Sequence, residues 1–289
     1  MTQIINSFSE ISAQYDAAFV DLWGCVHNGI TAFPDAVAAL QAFRAGGGKV
    51  VLLTNAPRPR ASVRAQLERF NVPEDCWDVI ATSGDSARAA MFRGTVGQKV
   101  YHIGQPHDEP FFEPLKLIED SVEIERVPLQ EAEGIICTGP FDPFADPDVN
   151  RADFLYAKTK GMKLLCANPD IVVDRGEKRE WCAGALAQLY TEMGGESLYF
   201  GKPHPPIYDL ARRRLAEVDG NPTGRIICIG DGVITDVAGA MGEDLDVLYI
   251  TGGLAAAETA TVTQPDPALL DEHLERAQMA VTYAIGFLR

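Results

Sequence analysis

The chain has 289 residues, of which 46% are hydrophobic and 23% are charged, so it can form one or two packed domains and is too apolar to be disordered. Its net charge of −16 argues against a nucleic-acid partner, because a polyanion-binding surface would oppose the overall field. No segment approaches the ~20 apolar residues that a membrane span requires. We therefore expect no membrane partner either.

The cysteines and the first residues indicate the compartment. Six cysteines are present and no two have Cys-x-x-Cys spacing, so buried thiols in a reducing compartment are the simplest interpretation. Residues 1–15 contain neither a basic start nor a long apolar run, so we expect no signal peptide. Together these features predict a cytoplasmic protein.

Short apolar runs alternate with segments of helical periodicity along the chain. In chain order, the predicted elements are strand 17–20, helix 35–45, strand 50–53, helix 60–70, strand 79–81, helix 85–92, strands 99–103 and 134–137, helix 148–160, strand 163–166, helix 182–193, strands 225–229 and 247–250, and helix 267–285. Strands separated by helices predict an α/β fold, in which helices cover a parallel sheet.

Polar side chains follow several of these strands directly. They are Asp21, Thr54 with Asn55, Thr82 with Ser83, and Asp231. Ligands bind at the carboxyl ends of the strands in parallel sheets. Carboxylates suit a hard cation such as Mg²⁺, and hydroxyls and backbone amides suit phosphate oxygens. The sequence therefore predicts a site for a metal ion and a phosphate group.

Four segments carry a family resemblance. They are 21–29 (DLWGCVHNG), 52–57 (LLTNAP), 199–206 (YFGKPHPP) and 229–236 (IGDGVITD). Each alone has an ordinary explanation as a turn or a helix cap. Together and in this order they resemble the haloacid dehalogenase (HAD) superfamily, in the branch with a large inserted cap that includes nitrophenyl- and pyridoxal-phosphate phosphatases.

The resemblance implies a domain organisation. Residues 1–97 and 199–289 would form a three-layer, Rossmann-like parallel-sheet core. Residues 98–198 would form an inserted α/β cap that closes over the site. Because a cap of this size would roof the cleft, a small phosphorylated metabolite is the expected substrate. This branch pairs through its caps, so a homodimer is the oligomer that the resemblance implies.

The resemblance also implies roles for residues around the metal. Asp21 would be the nucleophile that forms an aspartyl-phosphate. Mg²⁺ would be held by the Asp21 carboxylate, the backbone carbonyl of Trp23 and the Asp231 carboxylate. Asp236 would act mainly by supporting these ligands.

Further residues would bind the phosphoryl group and the substrate. Thr54, Asn55, the backbone at Gly24 and Lys202 would hold the phosphate oxygens, and Lys202 would also neutralise Asp21. The loop Asn168-Pro169-Asp170 resembles one that faces the active site, and Arg58 would contact a substrate phosphate or carboxylate. An ordinary turn and a surface arginine are the alternatives for these last two features.

One residue departs from the pattern of the family's phosphatases. Trp23 stands where they carry a second aspartate, which protonates the leaving group and later activates the water. Indole cannot replace it, and loss of a general acid typically costs ~10²–10⁴-fold in rate. Either His27 substitutes, or the leaving group needs no proton, or the protein binds a phosphorylated ligand without hydrolysing it efficiently, as a sensor or scaffold would.

Other interpretations have less support. A dinucleotide-binding site would need G-x-G-x-x-G after the first strand, and a P-loop would need an upstream glycine before Gly201-Lys202; neither is present. His102 and His107 could suggest a transition-metal site, but no cysteine or second histidine cluster lies near them in the sequence, so a surface loop is the simpler interpretation. The sequence therefore favours a Mg²⁺-dependent phosphatase of small phosphorylated metabolites.

Overall fold

The structure is a computed structural model that describes residues 2–114, 120–175, 178–219 and 224–289. Its strands are β1 (Gln3–Ile4), β2 (Ala17–Val20), β3 (Lys49–Thr54), β4 (Val79–Thr82), β5 (Lys99–Ile103), β6 (Glu125–Arg126), β7 (Gly134–Cys137), β8 (Lys163–Cys166), β9 (Val172–Arg175), β10 (Lys178–Trp181), β11 (Glu196–Tyr199), β12 (Ile226–Gly230), β13 (Asp246–Ile250) and β14 (Tyr283–Ile285).

Its α-helices are α1 (Pro34–Ala45), α2 (Arg60–Arg69), α3 (Ser83–Met91), α4 (Arg151–Thr159), α5 (Ala183–Glu192), α6 (Pro205–Asp219), α7 (Ala238–Gly242) and α8 (Pro267–Ala277). A π-helical turn, Val233–Val237, leads into α7. No helix among the described residues is long and apolar enough to cross a membrane.

The chain forms two compact units. The first unit comprises Met1–Thr54, Arg64–Ala81 and Tyr208–Arg289, and the second comprises Asn55–Val63 and Thr82–Ile207. The predicted α/β class, with mostly parallel sheets, is confirmed. The predicted domain boundaries at 97/98 and 198/199 stay a prediction.

The first unit contains a sheet with strand order β1-β14-β13-β12-β2-β3-β4. From β1 through β3 each neighbouring pair is parallel. The strands β2 and β12 lie side by side and in register, with Val20 opposite Ile229, and both strands are buried along their whole length. The residues that follow these two strands therefore emerge together at one edge of the sheet.

The second unit contains a parallel sheet with strand order β11-β8-β7-β5-β6 and a separate antiparallel hairpin of β9 and β10. Successive residues of β7 enter different cores, because side chains alternate across a strand. Ile135 packs in the core that includes Phe154 of α4 and Leu186 of α5, whereas Ile136 packs in the core that includes Met91 of α3. Helices therefore cover both faces of this sheet.

The predicted helix 267–285 is wrong in its second half. The helix α8 ends at Ala277, and Gln278 takes a left-handed conformation, which stops the helix. The chain then forms β14, which pairs in parallel with β1 and β13. A three-residue apolar run carries no periodicity of its own, so only its pairing partners make it a strand.

Candidate active site

Two buried carboxylates lie at the ends of neighbouring strands in the first unit. Asp21 follows β2 and Asp231 follows β12, and the backbone N–H of Asp21 donates to the carbonyl of Ile229 at 2.8 Å. The two aspartates are only 8% and 6% exposed. The parallel pairing of β2 with β12 thus brings together two groups that lie far apart in the sequence.

The thiol of Cys25 lies close to these two carboxylates. One oxygen each of Asp21 and Asp231 and the Sγ of Cys25 all lie within 4.8 Å of one another, and all three residues are buried. Like charges held this closely repel, and buried charges are normally paired or bound to a metal. Two carboxylate oxygens and one sulfur are atoms that divalent cations accept as ligands, so the donor set fits such an ion.

The backbone of two glycines, Gly24 and Gly253, packs against the Asp231 carboxylate. A Cβ at Gly24 would lie 2.2 Å from Asp231 Oδ2, and a Cβ at Gly253 would lie 1.9 Å from the same atom. Gly24 also has a φ of +79°, which favours glycine. The backbone N–H of Leu254 donates to Asp231 Oδ2 at 3.0 Å and fixes its orientation. This cradle leaves room for the carboxylate and for no additional side chain.

Asp236 and Thr54 are also buried in the first unit. Asp236 Oδ2 accepts from the backbone N–H of Gly232 at 3.1 Å and from the Thr235 hydroxyl at 3.5 Å. Asp236 therefore shapes the turn that follows Asp231, and its supporting role at a metal stays a prediction. Thr54 is the last residue of β3, next to β2 in the sheet.

The Trp23 indole packs onto its own loop. A Cβ at Gly29 would lie 2.3 Å from the Trp23 ring, and the φ of Gly29 is +80°. The rings of Trp23 and His27 meet edge-on with centroids 5.5 Å apart, and His27 meets Phe70 in the same way at 5.0 Å. The residue that replaces the expected aspartate is therefore part of an aromatic cluster in which the rings meet edge-on.

His27 is buried in this aromatic cluster. Its Nδ1 accepts from the backbone N–H of Gly29 at 3.0 Å, which leaves the ring proton on Nε2. Burial lowers the pKa of His27 to about 4, so the ring is neutral at pH 7. A neutral imidazole with one nitrogen engaged holds the loop and is a poor proton donor. The predicted acid role for His27 stays a prediction that these contacts do not favour.

In the second unit, Asn55 connects the predicted substrate loop to Lys202. Its Nδ2 donates to Asp170 Oδ1 at 2.8 Å and to the carbonyl of Lys202 at 3.1 Å, and its Oδ1 accepts from the Lys202 backbone N–H at 2.7 Å. Asn168 Oδ1 accepts from the backbone N–H of Asp170 at 3.0 Å. The structure thus brings together four of the residues predicted from sequence, and the Asn55 amide is already engaged within the protein.

The backbone at Gly201 packs closely against the Asn55 side chain. A Cβ at Gly201 would lie 2.5 Å from Asn55 Oδ1 and 2.6 Å from Ser83 Oγ. The Ser83 hydroxyl is fully buried and makes no hydrogen bond with the part of the chain that is described. Only glycine therefore fits before Lys202 in this packing.

The remaining predicted residues have different surroundings. Arg58 is half-buried, and its backbone packs on Gly84, where a Cβ would lie 2.6 Å from the Arg58 carbonyl oxygen. Its contact with a substrate stays a prediction. His102 Nε2 lies 2.8 Å from the Thr138 hydroxyl, whereas His107 is half exposed. In the described ranges, no cluster of three possible ligands includes either histidine.

Sequence reasoning missed two parts of the first-unit cluster. Cys25 appeared only as one of several buried thiols, and Gly253 did not stand out. The signal for Cys25 was its position in the loop after the predicted nucleophile. Gly253 follows β13, a strand next to β12, so its place near Asp231 depends on sheet order.

Comparison with known proteins identifies the family. Residues 18–117 match the model of haloacid dehalogenase-like hydrolases, and residues 199–279 match a HAD-hydrolase-like model. A crystal structure of a hydrolase of the haloacid dehalogenase-like family from Brucella suis 1330 is 38% identical, covers 99% of this chain and 100% of its own, and superposes with a TM-score of 0.86. The chain belongs to the haloacid dehalogenase-like hydrolase family. The resemblance seen in the sequence is confirmed.

More distant HAD structures share the fold. The p-nitrophenyl phosphatase from Archaeoglobus fulgidus is 20% identical, with 95% of this chain and 97% of that chain covered and a TM-score of 0.69. Glycerol phosphate phosphatase from Mycobacterium tuberculosis, in complex with magnesium, is 22% identical, with 90% and 74% covered and a TM-score of 0.62. No curated protein matches the chain.

The glycine cradle gives a first prediction. Gly253→Ala should weaken Mg²⁺ binding at least ~10-fold, because the added methyl group displaces the Asp231 carboxylate. Isothermal titration calorimetry measures the affinity. The matched control is Gly242→Ala, where no atom lies within 4 Å of the added methyl group. Equal affinities in Gly253→Ala and the parent protein would contradict the proposed role of the cradle.

The buried histidine gives a second prediction. The folded pKa of His27 lies below its unfolded value of 6.5, so the unfolded chain binds the proton first as pH falls. Between pH 6.5 and about 4, this linkage should remove up to about 3 kcal/mol from the free energy of unfolding. Denaturant titrations should show a smaller loss in His27→Gln. The half-exposed His107 supplies the control, since His107→Gln should keep the parent slope.

Proposed function

We propose that this HAD-family protein is a phosphoric monoester hydrolase for small phosphorylated metabolites, with Asp21 as the nucleophile. The observation that carries the proposal is the buried pair of Asp21 and Asp231 at adjacent strand ends. Fold neighbours described as p-nitrophenyl phosphatase and glycerol phosphate phosphatase support this reaction class. The magnesium bound to the second of these proteins supports Mg²⁺ as the cofactor.

The metal would be held by Asp21, Asp231 and the Trp23 carbonyl, with Asp236 fixing the turn behind Asp231. When bound, the cation supplies positive charge that reduces repulsion between the Asp21 carboxylate and a phosphate group. The buried position of both aspartates strengthens such an interaction, because few waters compete for the charge. The cradle around Asp231 keeps this carboxylate in one orientation.

The chain's own residues would then carry the chemistry. Asp21 attacks phosphorus, the bond from phosphorus to the leaving oxygen breaks, and an aspartyl-phosphate forms. The Thr54 hydroxyl and the backbone at Gly24 stabilise the charge on the phosphoryl oxygens. Lys202 keeps its predicted role as a phosphate-binding cation. Water attacks phosphorus in the second step and releases phosphate and the free Asp21 carboxylate. Asn55 positions the Lys202 backbone and Asp170. Asp170, Asn168 and Arg58 contact the substrate.

Trp23 sets the substrate preference within this proposal. Its indole cannot protonate a leaving oxygen, and the neighbouring His27 is neutral at pH 7. The leaving groups of acyl phosphates and of phosphate esters of acidic alcohols depart without a proton. These compounds should therefore be the better substrates. The same observation favours a second candidate, a protein that binds a phosphorylated ligand without efficient hydrolysis.

A turnover assay tests the proposed reaction. Mg²⁺-dependent hydrolysis of an aryl phosphate and of a small acyl phosphate should fall about 10⁴-fold or more in Asp21→Asn, because the nucleophile is lost. The matched control is Asp244→Asn, an exposed aspartate in a left-handed turn that asparagine tolerates. Absence of turnover in the parent protein, with vanadate or phosphate still bound, would favour the second candidate.

Restoring the acid tests the role of Trp23. Trp23→Asp should raise the rate on alkyl phosphates by ~10²–10⁴-fold, because their leaving group needs a proton. The rate on the acyl phosphate should rise less, because only the attack of water on the aspartyl-phosphate gains from the restored aspartate. A thermal melt must accompany the assay, since the variant removes the ring that packs on Gly29 and His27. Equal effects on both substrate classes would contradict the assignment.

A further inference from the structure

The Cys25 thiol lies in the carboxylate cluster of the first unit. Its residue is 1% exposed, and its Sγ lies within 4.8 Å of an oxygen of Asp21 and an oxygen of Asp231. Metal–oxygen and metal–sulfur bonds are roughly 2.0–2.3 Å long in zinc sites, so donors about 4 Å apart can share one ion. Small rotations of these side chains would therefore suffice to bring all three onto a single cation.

The conformation of the loop after Asp21 places Cys25 beside the two carboxylates. The positive φ of Gly24 turns the backbone, and the N–H of Gly24 donates to the carbonyl of His27 at 2.9 Å. The N–H of Val26 donates to the carbonyl of Leu22 at 2.8 Å. These bonds close the loop on both sides of Cys25, so the thiol is held in place before any ligand binds.

A sulfur ligand changes which metal ions such a site prefers. Mg²⁺ is a hard cation that takes oxygen ligands in octahedral geometry. A thiolate is a soft ligand that favours Zn²⁺ and similar thiophilic cations. We propose that Cys25 makes the Asp21–Asp231 site a mixed carboxylate–thiolate site that binds thiophilic divalent cations, such as Zn²⁺ and Cd²⁺, in competition with Mg²⁺. The inference rests on the metal site of the proposed function and does not depend on the phosphatase reaction.

The binding step involves no redox change. The S–H bond of Cys25 breaks, its proton goes to solvent, and the sulfur lone pair forms the bond to the cation. Two carboxylates and one thiolate then surround a divalent ion. Because Asp21 is both a ligand and the proposed nucleophile, a thiophilic cation should lower Mg²⁺-dependent turnover.

Other thiols have different surroundings. The Cys166 thiol donates to the carbonyl of Asn168 at 3.2 Å, and the Cys76 thiol of the first unit donates to the carbonyl of Pro73 at 3.0 Å. Among the described residues, the group of Asp21, Cys25 and Asp231 is the one cluster of three possible ligands.

A titration of the metal-free protein with Cd²⁺ tests the proposal without any substrate. The parent protein should develop a thiolate-to-cadmium charge-transfer absorption that corresponds to one thiolate per chain. Cys25→Ser should lose this absorption and bind Cd²⁺ at least ~10-fold more weakly by calorimetry. The matched control is Cys182→Ser, which should keep the absorption. Cys182 is the N-cap of α5, where serine is well tolerated.

A competition experiment on the parent protein covers the case in which Cys25→Ser does not fold. Saturating Mg²⁺ should remove the cadmium absorption, because both ions need Asp21 and Asp231. No absorption in the parent protein, an absorption that persists in Cys25→Ser, or one that Mg²⁺ does not affect would each overturn the proposal. Failure of the phosphatase assay alone would leave it standing, since these measurements use metal alone.

Discussion

The side-by-side placement of two buried carboxylates, Asp21 and Asp231, is the constraint on which the rest of the first unit depends. They are adjacent because β2 and β12 pair in parallel and end together. Burial makes their repulsion costly. Glycines at 24 and 253 leave space around Asp231, and the Leu254 amide donates to it. The cluster therefore fits a site that is completed by a cation.

In the second unit, the hydrogen bonds of one amide side chain hold two predicted site residues in place. The Asn55 side chain makes three hydrogen bonds, which hold Lys202 and Asp170 relative to each other. An amide is suited to this role because it both donates and accepts. Loss of one partner would leave a buried polar group unpaired, at a cost of about 1–3 kcal/mol. Asn55 thus matters first as a positioning residue for its neighbours.

Sequence patterns predicted what depends on local chemistry and missed what depends on distant pairing. Apolar strands that end in Asp21 or Asp231 are visible in the sequence, because parallel sheets place ligands at that end. The strand β14 looked helical, since its identity comes from pairing with β1 and β13. The partners of Asn55 lie 115 and 147 residues away, so no local signal reveals them. The place of Cys25 depends on a backbone turn at Gly24.

In the proposed reaction, Asp21 carries the phosphoryl group during turnover. Borohydride reduces an aspartyl-phosphate to an alcohol, and mass spectrometry of the peptide containing Asp21 detects the change. We expect reduction at Asp21 when an acyl phosphate and Mg²⁺ are both present, and no reduction when either is omitted. Turnover with Asp21 unmodified, or reduction at a different carboxylate, would contradict it.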